Sequence, residues 1–169
     1  MNNSLNIVAP AICKNEETTL PRWIENVRKI ASKVIILDTG SGDKSMAVAS
    51  ALGAEVFESS MPTDSFSFAE ARNLAMNLIP LDTDWLIFTD ADEIIADESI
   101  ERLIGEMQFI DKNPSLNHVD AIAVTLRNRN DDGSIKTVAK NVNPRMDKFL
   151  IPKISNFIKP TSSQACISY

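Results

Sequence analysis

What most constrains this chain is the alternation of two kinds of segment through about its first 110 residues. Short apolar runs, NIVAPAI (6–12), KVIILD (33–38), AEVFE (54–58) and DWLIFTD (84–90), read as buried strands. Each is followed by a stretch with helical spacing: RWIENVRKI (22–30), SMAVASAL (45–52), SFAEARNLAMNLI (67–79) and ESIERLIGEMQFI (98–110). Strands that are apolar without a break are buried on both faces, and parallel neighbours need a crossover helix between them. The order therefore predicts an α/β fold, with a mostly parallel, Rossmann-like sheet, right-handed crossovers and helices on both faces. Local punctuation agrees with these segments. Thr18 or Thr19 offers a cap and Pro21 a first-turn position for the first helix, Gly53 stops the second and Pro80 the third. Gly105 interrupts the fourth helical pattern without ending it. After it, DAIAVTLRNR and SIKTVAK flank NDDG, a turn signal that predicts a closing antiparallel hairpin.

At 169 residues the chain is long enough for one domain with a substantial core, so residues 1–169 are read as a single domain. A 44% hydrophobic, 24% charged composition points to a globular fold and away from disorder. The net charge of -6 argues against a general affinity for nucleic acid or anionic membrane. Cys13 and Cys166 make no metal or disulfide framework by spacing and fit a reducing compartment. The opening MNNSLNIVAPAI has no basic leader, and no run reaches the roughly 18 apolar residues of a membrane helix. A cytoplasmic protein is expected.

The fourth apolar run ends abruptly on acid, in TDADEII. Residues two apart on a strand share a face, so Asp90 and Asp92 project together if the extended geometry persists past Thr89. Two such charges repel unless water screens them or a cation lies between them. A solvated acidic loop is one reading and a divalent-metal site the other. Ligands of parallel sheets bind beyond the carboxyl ends of the strands. The polar loops at 13–17, 38–45 and 89–93 all follow strands and so belong on one rim, which favours the metal site. Asp38 is also a ready turn former in TGSGDKS, Arg72 a partner for a nearby acid, and Glu16 and Glu17 suit the approach to a helix. His118 is expected in a solvated loop, and Cys13, Trp23 and Trp85 in the core.

Four stretches, APAICKNEE, ILDTGSGDKS, FSFAEARNLAMN and DWLIFTDADEII, follow one another at intervals that resemble the nucleotide-sugar-binding half of family 2 glycosyltransferases, of the GT-A fold. The similarity runs from about Ile7 to Ile95. It implies a donor of the nucleoside-diphosphate-sugar type, carrying UDP or GDP, and a Mn²⁺ or Mg²⁺ cofactor. By position it implies that backbone at Ala9, Pro10 and Ala11 ends the first strand and lines the base and ribose. Glu17 would bond the nucleoside or brace its loop, Asp38 would accept from a uracil-type base, and Arg72 would sit near the nucleotide. Asp90 would contact ribose, and Asp92 would ligate the metal that bridges the two phosphates. Chemically this is coherent, because a hard cation held by one or two carboxylates neutralises a diphosphate leaving group.

The inverting members that this chain most resembles place an acceptor-side base later, after an Arg-Leu-Phe-Arg-like segment, in a His-Glu pair. Here NPRMDKFLIPKISNF starts similarly at Pro144 and Arg145 and then diverges, with no His-Glu after it; residues from about 150 to 169 are atypical. The base is unassigned; Asp147 is the nearest candidate, followed by Asp131 and Asp132. A donor-binding module without transfer is therefore the alternative function. A haloacid-dehalogenase-type phosphatase also ends a strand on Asp-x-Asp, but it wants Thr or Val where Ile94 stands, and it uses the first strand rather than the fourth.

Overall fold

The structure is a computed structural model that describes residues 5–61, 66–125 and 148–153. Four parallel strands form the main sheet in the order β3-β2-β1-β4: β1 (Ile7–Cys13), β2 (Lys33–Asp38), β3 (Glu55–Glu58) and β4 (Trp85–Leu86). The crossovers carry α1 (Leu20–Val27), α2 (Ser45–Ala51) and α3 (Phe68–Asn77), and α4 (Asp97–Lys112) follows β4. The expected parallel sheet is present.

Strand alternation decides which face each helix covers. Ile7, Ala9, Ala11 and Cys13 of β1, Val34 and Ile36 of β2, and Trp85 and Ile87 pack on one face with Leu20, Trp23, Ile24 and Val27 of α1. Ala49 of α2 and Ile100, Leu103 and Met107 of α4 join the same cluster. The intervening Val8, Ile35 and Leu86 pack on the other face with Ile79, against Met76 and Leu78 from the end of α3. This period-two partition is what an internal sheet requires.

Some boundaries differ from the sequence pattern. Helix α1 starts earlier, with Pro21 in its first turn, and ends at Val27, so Ile30 lies in the turn that follows. Thr19 is its N-cap residue, but the Thr19 side chain bonds Glu16 rather than the helix N–H groups. Gly53 does close α2, with φ at 76°, a left-handed value that glycine adopts without strain.

The fourth strand is shorter than DWLIFTD suggests. Its ladder to β1 pairs Ile7 with Trp85 and Val8 with Leu86, and Ile87 N–H still donates to Val8 C=O at 2.9 Å. In a parallel ladder the next bond would run from residue 10 N–H back to Ile87 C=O. Residue 10 is proline and has no N–H. The ladder between β1 and β4 stops there.

The expected closing antiparallel pairing is present. Strand β5 (Ala121–Thr125) pairs antiparallel with β6 (Lys148–Pro152), in the register Ala121–Pro152 to Thr125–Lys148. The expected partner SIKTVAK and the NDDG turn lie outside the described residues. Beyond β6, Lys153 bridges to Trp85, and its buried ammonium lies 3.4 Å from Asp111 at the end of α4. The second sheet is thereby anchored to the end of β4 away from the rim.

Candidate functional site

In the order β3-β2-β1-β4 the winding reverses between β1 and β4, and ligands of open parallel sheets bind at that reversal, outside the carboxyl ends. This is also where the β1–β4 ladder ends, short of Pro10. The loops after β1, β2 and β4 all lie on this rim.

The first two loops are laced together by side chains. Asn15 N–H donates to Ser41 Oγ at 2.8 Å, and Gly42 N–H to Asn15 Oδ1 at 2.8 Å. Glu16 N–H donates to the buried Ser45 Oγ at 2.7 Å and Glu17 N–H to Asp43 Oδ2 at 3.2 Å, while Lys44 N–H donates to Glu17 Oε2 at 2.9 Å. Asn15 takes φ of 58°, a left-handed conformation that Asn tolerates better than most residues. Glu17 is thus a brace between loops.

Asp38 is 2% exposed and organises the turn after β2. Its Oδ2 accepts from Gly40 N–H at 3.0 Å and Ser41 N–H at 2.9 Å, and its Oδ1 accepts from the Ser41 hydroxyl and, at 3.4 Å, from the Cys13 thiol. Burial opposes its ionisation, yet the bonds from Ser41, Gly40 and Cys13 hold its pKa below the ordinary carboxylate value. The Cys13 thiol is pushed up to about 12, first by burial and then by its bond to Asp38 and that group's charge. It is a packing residue and not a nucleophile at neutral pH.

On the far side of the reversal, Asp90 and Asp92 are exposed and Ala91 between them is buried, but residues 91 and 92 form a turn closed by Glu93 N–H on Asp90 C=O at 3.0 Å, so the extended geometry expected past Thr89 gives way to a turn that itself leaves both carboxylates outside. Asp90 Oδ1 lies 3.6 Å from Arg72 Nη2, and the Arg72 guanidinium carbon sits 5.6 Å from the Phe88 ring centroid. The carboxylate of Asp92 accepts no hydrogen bond and forms no ion pair among the described residues. Glu93 Oε2 accepts from Asp90 N–H at 3.1 Å. Burial, then the charges of Asp90 and Asp92, raise the Glu93 pKa against the pull of Asp90 N–H and Arg72.

The expected residues are not all on the rim. Asp38, Glu17, Arg72, Asp90 and Asp92 are gathered there. Ala9 and Ala11 expose none of their surface and Pro10 is buried, because β1 runs two residues further, to Cys13, before the loop begins. They lie beneath the rim rather than on it, and Pro10 lacks the N–H that the next bond of the β1–β4 ladder would need. Asp147, Asp131 and Asp132 lie outside the described residues. His118 is exposed, as expected.

Two residues of the frame carry no motif of their own. Trp23 Nε1 donates to Thr89 Oγ1 at 2.9 Å, and the Asn26 amide both accepts from Ile95 N–H and donates to Ile95 C=O, each at 2.8 Å. Trp23 was legible only as core, and the single signal at Asn26 is a polar residue on the apolar stripe of α1.

A parallel sheet in this order, with a crevice at its reversal and an Asp-x-Asp segment on the rim, defines an α/β protein of the GT-A class. The mannosyltransferase PcManGT from Pyrobaculum calidifontis, solved with GDP-Man and Mn²⁺, matches with a TM-score of 0.56 at 16% identity, over 76% of this chain and 37% of that one. S. aureus TarS 1–349 in complex with UDP-GlcNAc matches with a TM-score of 0.61 at 18% identity, over 89% and 46%. The chain belongs to glycosyl transferase family 2, whose family model matches residues 11–168. An uncharacterized glycosyltransferase of Rickettsia conorii is 32% identical over 133 residues, 78% of this chain and 44% of the relative. A TPR repeat-containing protein of Synechococcus elongatus is 32% identical over 96 residues, 57% of this chain and 23% of the relative. The chain spans less than half the length of either curated relative.

No cluster of three or more metal-ligating side chains occurs among the described residues. The rim instead offers one unengaged carboxylate, Asp92, beside a second, Asp90. These are hard oxygen donors that suit Mn²⁺ or Mg²⁺ when substrate phosphates complete the shell. No helix among the described residues is long and apolar enough to cross a membrane.

Proposed function

We propose that this chain is the donor-binding part of a glycosyltransferase that takes a nucleoside-diphosphate sugar, of the UDP or GDP type, together with Mn²⁺ or Mg²⁺, and passes the sugar to an acceptor. The observation that carries the reading is the exposed carboxylate of Asp92, unengaged among the described residues, beside the Asp90–Arg72 pair at the reversal between β1 and β4. The metal supplies charge neutralisation of the departing diphosphate. Asp92 holds it, and Asp90 stands next to it. Arg72 faces the same position with a guanidinium that pairs with carboxylate or phosphate alike. The laced loops at 13–17 and 38–45 form the opposite wall, on the nucleoside side. An Asp38 carboxylate offers about four acceptor positions, and four donors from its own surroundings already occupy them. Asp38 therefore shapes the nucleoside wall, and a base N–H reaches it only by displacing Ser41 Oγ or the thiol.

Calorimetry with UDP and GDP, with and without Mn²⁺, tests this reading. One nucleotide should bind more tightly with metal, and Asp92→Asn should remove the metal effect while weak nucleotide binding remains. Equal affinity with and without Mn²⁺ in the unaltered chain would overturn the metal assignment. Release of free sugar from the donor, compared with transfer to an added acceptor, separates a complete transferase from a binding module. General-base help is worth about 10²–10⁴ in rate, so a module without it hydrolyses donor slowly and transfers poorly.

A further inference from the structure

The acidic segment on the rim is exposed, yet both of its ends are fastened to one helix by buried side chains. At its start, Thr89 accepts from Trp23 Nε1 at 2.9 Å; Trp23 is completely buried and Thr89 is 5% exposed. At its end, the Asn26 amide satisfies both backbone groups of Ile95, as a neighbouring strand would, and Asn26 is itself 5% exposed. Trp23 and Asn26 are three residues apart on α1 and so share a face. Between the fastenings, Ala91 is buried in the core, and a turn closes with Glu93 N–H donating to Asp90 C=O at 3.0 Å. The strand ladder is not available for this task, because it ended at Leu86.

We propose that Trp23 and Asn26 are positioning residues for the metal: they fix the segment 90–94 at both ends, so that Asp90 and Asp92 face a divalent cation together. This rests on the donor-and-metal reading given above. The same helix is entered through the loop at 13–17, which is laced to the loop at 38–45. Helix α1 therefore registers the nucleoside wall of the crevice against its metal wall. Lys29, in the turn that follows α1, also reaches Asp97 at 2.6 Å, but both groups are exposed and the pair adds little. A carboxylate binds a cation well only if its position is settled beforehand, and groups that hold ligands in place bear on affinity without touching the metal.

The test is a Mn²⁺ titration of UDP and GDP binding, followed by calorimetry, in the full chain and in three variants. Trp23→Phe/Thr89→Val removes both polar partners of the first fastening together, so that neither is left unpaired, at the cost of the volume lost between indole and phenyl. Asn26→Ala removes the second fastening, and Thr89→Ser keeps the acceptor hydroxyl as a control. The expected result is a rise of about tenfold in the Mn²⁺ needed for half of its effect, the low end for lost support of a metal ligand. Nucleotide affinity without metal should stay within about twofold, since that wall is untouched, and Thr89→Ser should behave as the unaltered chain. If Asn26→Ala fails to fold, the double variant decides alone. A folded double variant with an unchanged Mn²⁺ requirement overturns the proposal and shows the fastenings to be structural only. Absence of any Mn²⁺ effect in the unaltered chain overturns the donor-and-metal reading instead, and this inference with it.

Discussion

Replacing Asp38 by asparagine isolates what charge contributes to the turn after β2. An amide of the same shape keeps its oxygen toward the Gly40 and Ser41 N–H groups, and its NH₂ meets Ser41 Oγ, which rotates to accept. The displaced Ser41 O–H, on a half-buried residue, turns to solvent; what disappears from the two backbone bonds is the assistance of charge. Hydrogen bonds to charged groups contribute about 1.5–3 kcal/mol and neutral ones about 0.5–1.5 kcal/mol. Weakening the two backbone bonds accordingly costs about 1–2 kcal/mol. In a chain of this length each kcal/mol moves Tm by about 2–4 °C, so a fall of about 2–8 °C is expected at pH 7. Asp38→Ala removes the acceptor and leaves two N–H groups and a hydroxyl to find other partners, a loss of about 3 kcal/mol or more. The pH dependence follows from the sign of the shift. The folded-state pKa of Asp38 lies below its unfolded value. Its contribution is therefore fully present above the unfolded value, about 3.9, and is lost as pH falls through the folded value. Urea unfolding of both proteins should show a constant gap from pH 8 down to pH 5 and a closing gap below about pH 4. A gap that is absent at pH 7, or that does not narrow in acid, refutes the reasoning. Weaker UDP binding without any loss of stability would assign Asp38 to direct contact with the base.

Three other outcomes are expected. Arg72→Ala should weaken nucleotide binding by about tenfold, yet change stability by less than about 0.5 kcal/mol, because its pair with Asp90 is long and exposed; calorimetry and urea unfolding read the two effects separately. Cys13 should resist iodoacetamide at pH 8 in the folded chain and react once urea is added, as peptide mapping would show, because its pKa is pushed up to about 12. Labelling of native Cys13 at the rate of a free thiol would contradict this. A Cβ at Gly105 meets nothing within 4 Å, so Gly105→Ala should raise stability by about 0.4–1 kcal/mol in urea unfolding.

The parts of this fold that were legible are those governed by local chemistry and by period. Continuous apolar strands separated by helical stretches predict the parallel sheet, Pro21 and Gly53 mark helix ends, and acids after a strand mark the rim. What escaped was decided by partners distant in sequence. The pairing of β5 with β6 depends on a segment more than twenty residues away. Asp38 illustrates the same limit at the site. Its type and its turn, with Ser41 three residues on, were legible, but the Cys13 thiol that takes a remaining position on Oδ1 lies twenty-five residues away and is brought there only by the fold.

Pro10 shows how one residue type can act at the level of the whole sheet. In sequence it is a proline inside a strand, and prolines are rare in central strands because neighbours on both sides need donors. In the structure its backbone pairs with β2 in register with Ile35, while on the β4 side the ladder ends one bond before Pro10 would have to donate. The segment Ile87–Thr89 then runs on without a partner strand among the described residues, and its outer end is held by Trp23 instead. The end of the ladder and the need for a fastening from α1 are both consistent with that missing N–H. Pro10→Ala restores that donor. If the ladder then extends, Ile87 C=O gains a bond from residue 10 and the strands close together where the donor is proposed to bind. The expected result is a chain at least as stable in urea unfolding, with slow hydrogen exchange newly measured at residue 10 and weaker binding of UDP or GDP. Fast exchange at residue 10 with unchanged nucleotide affinity would show that the strands part for another reason.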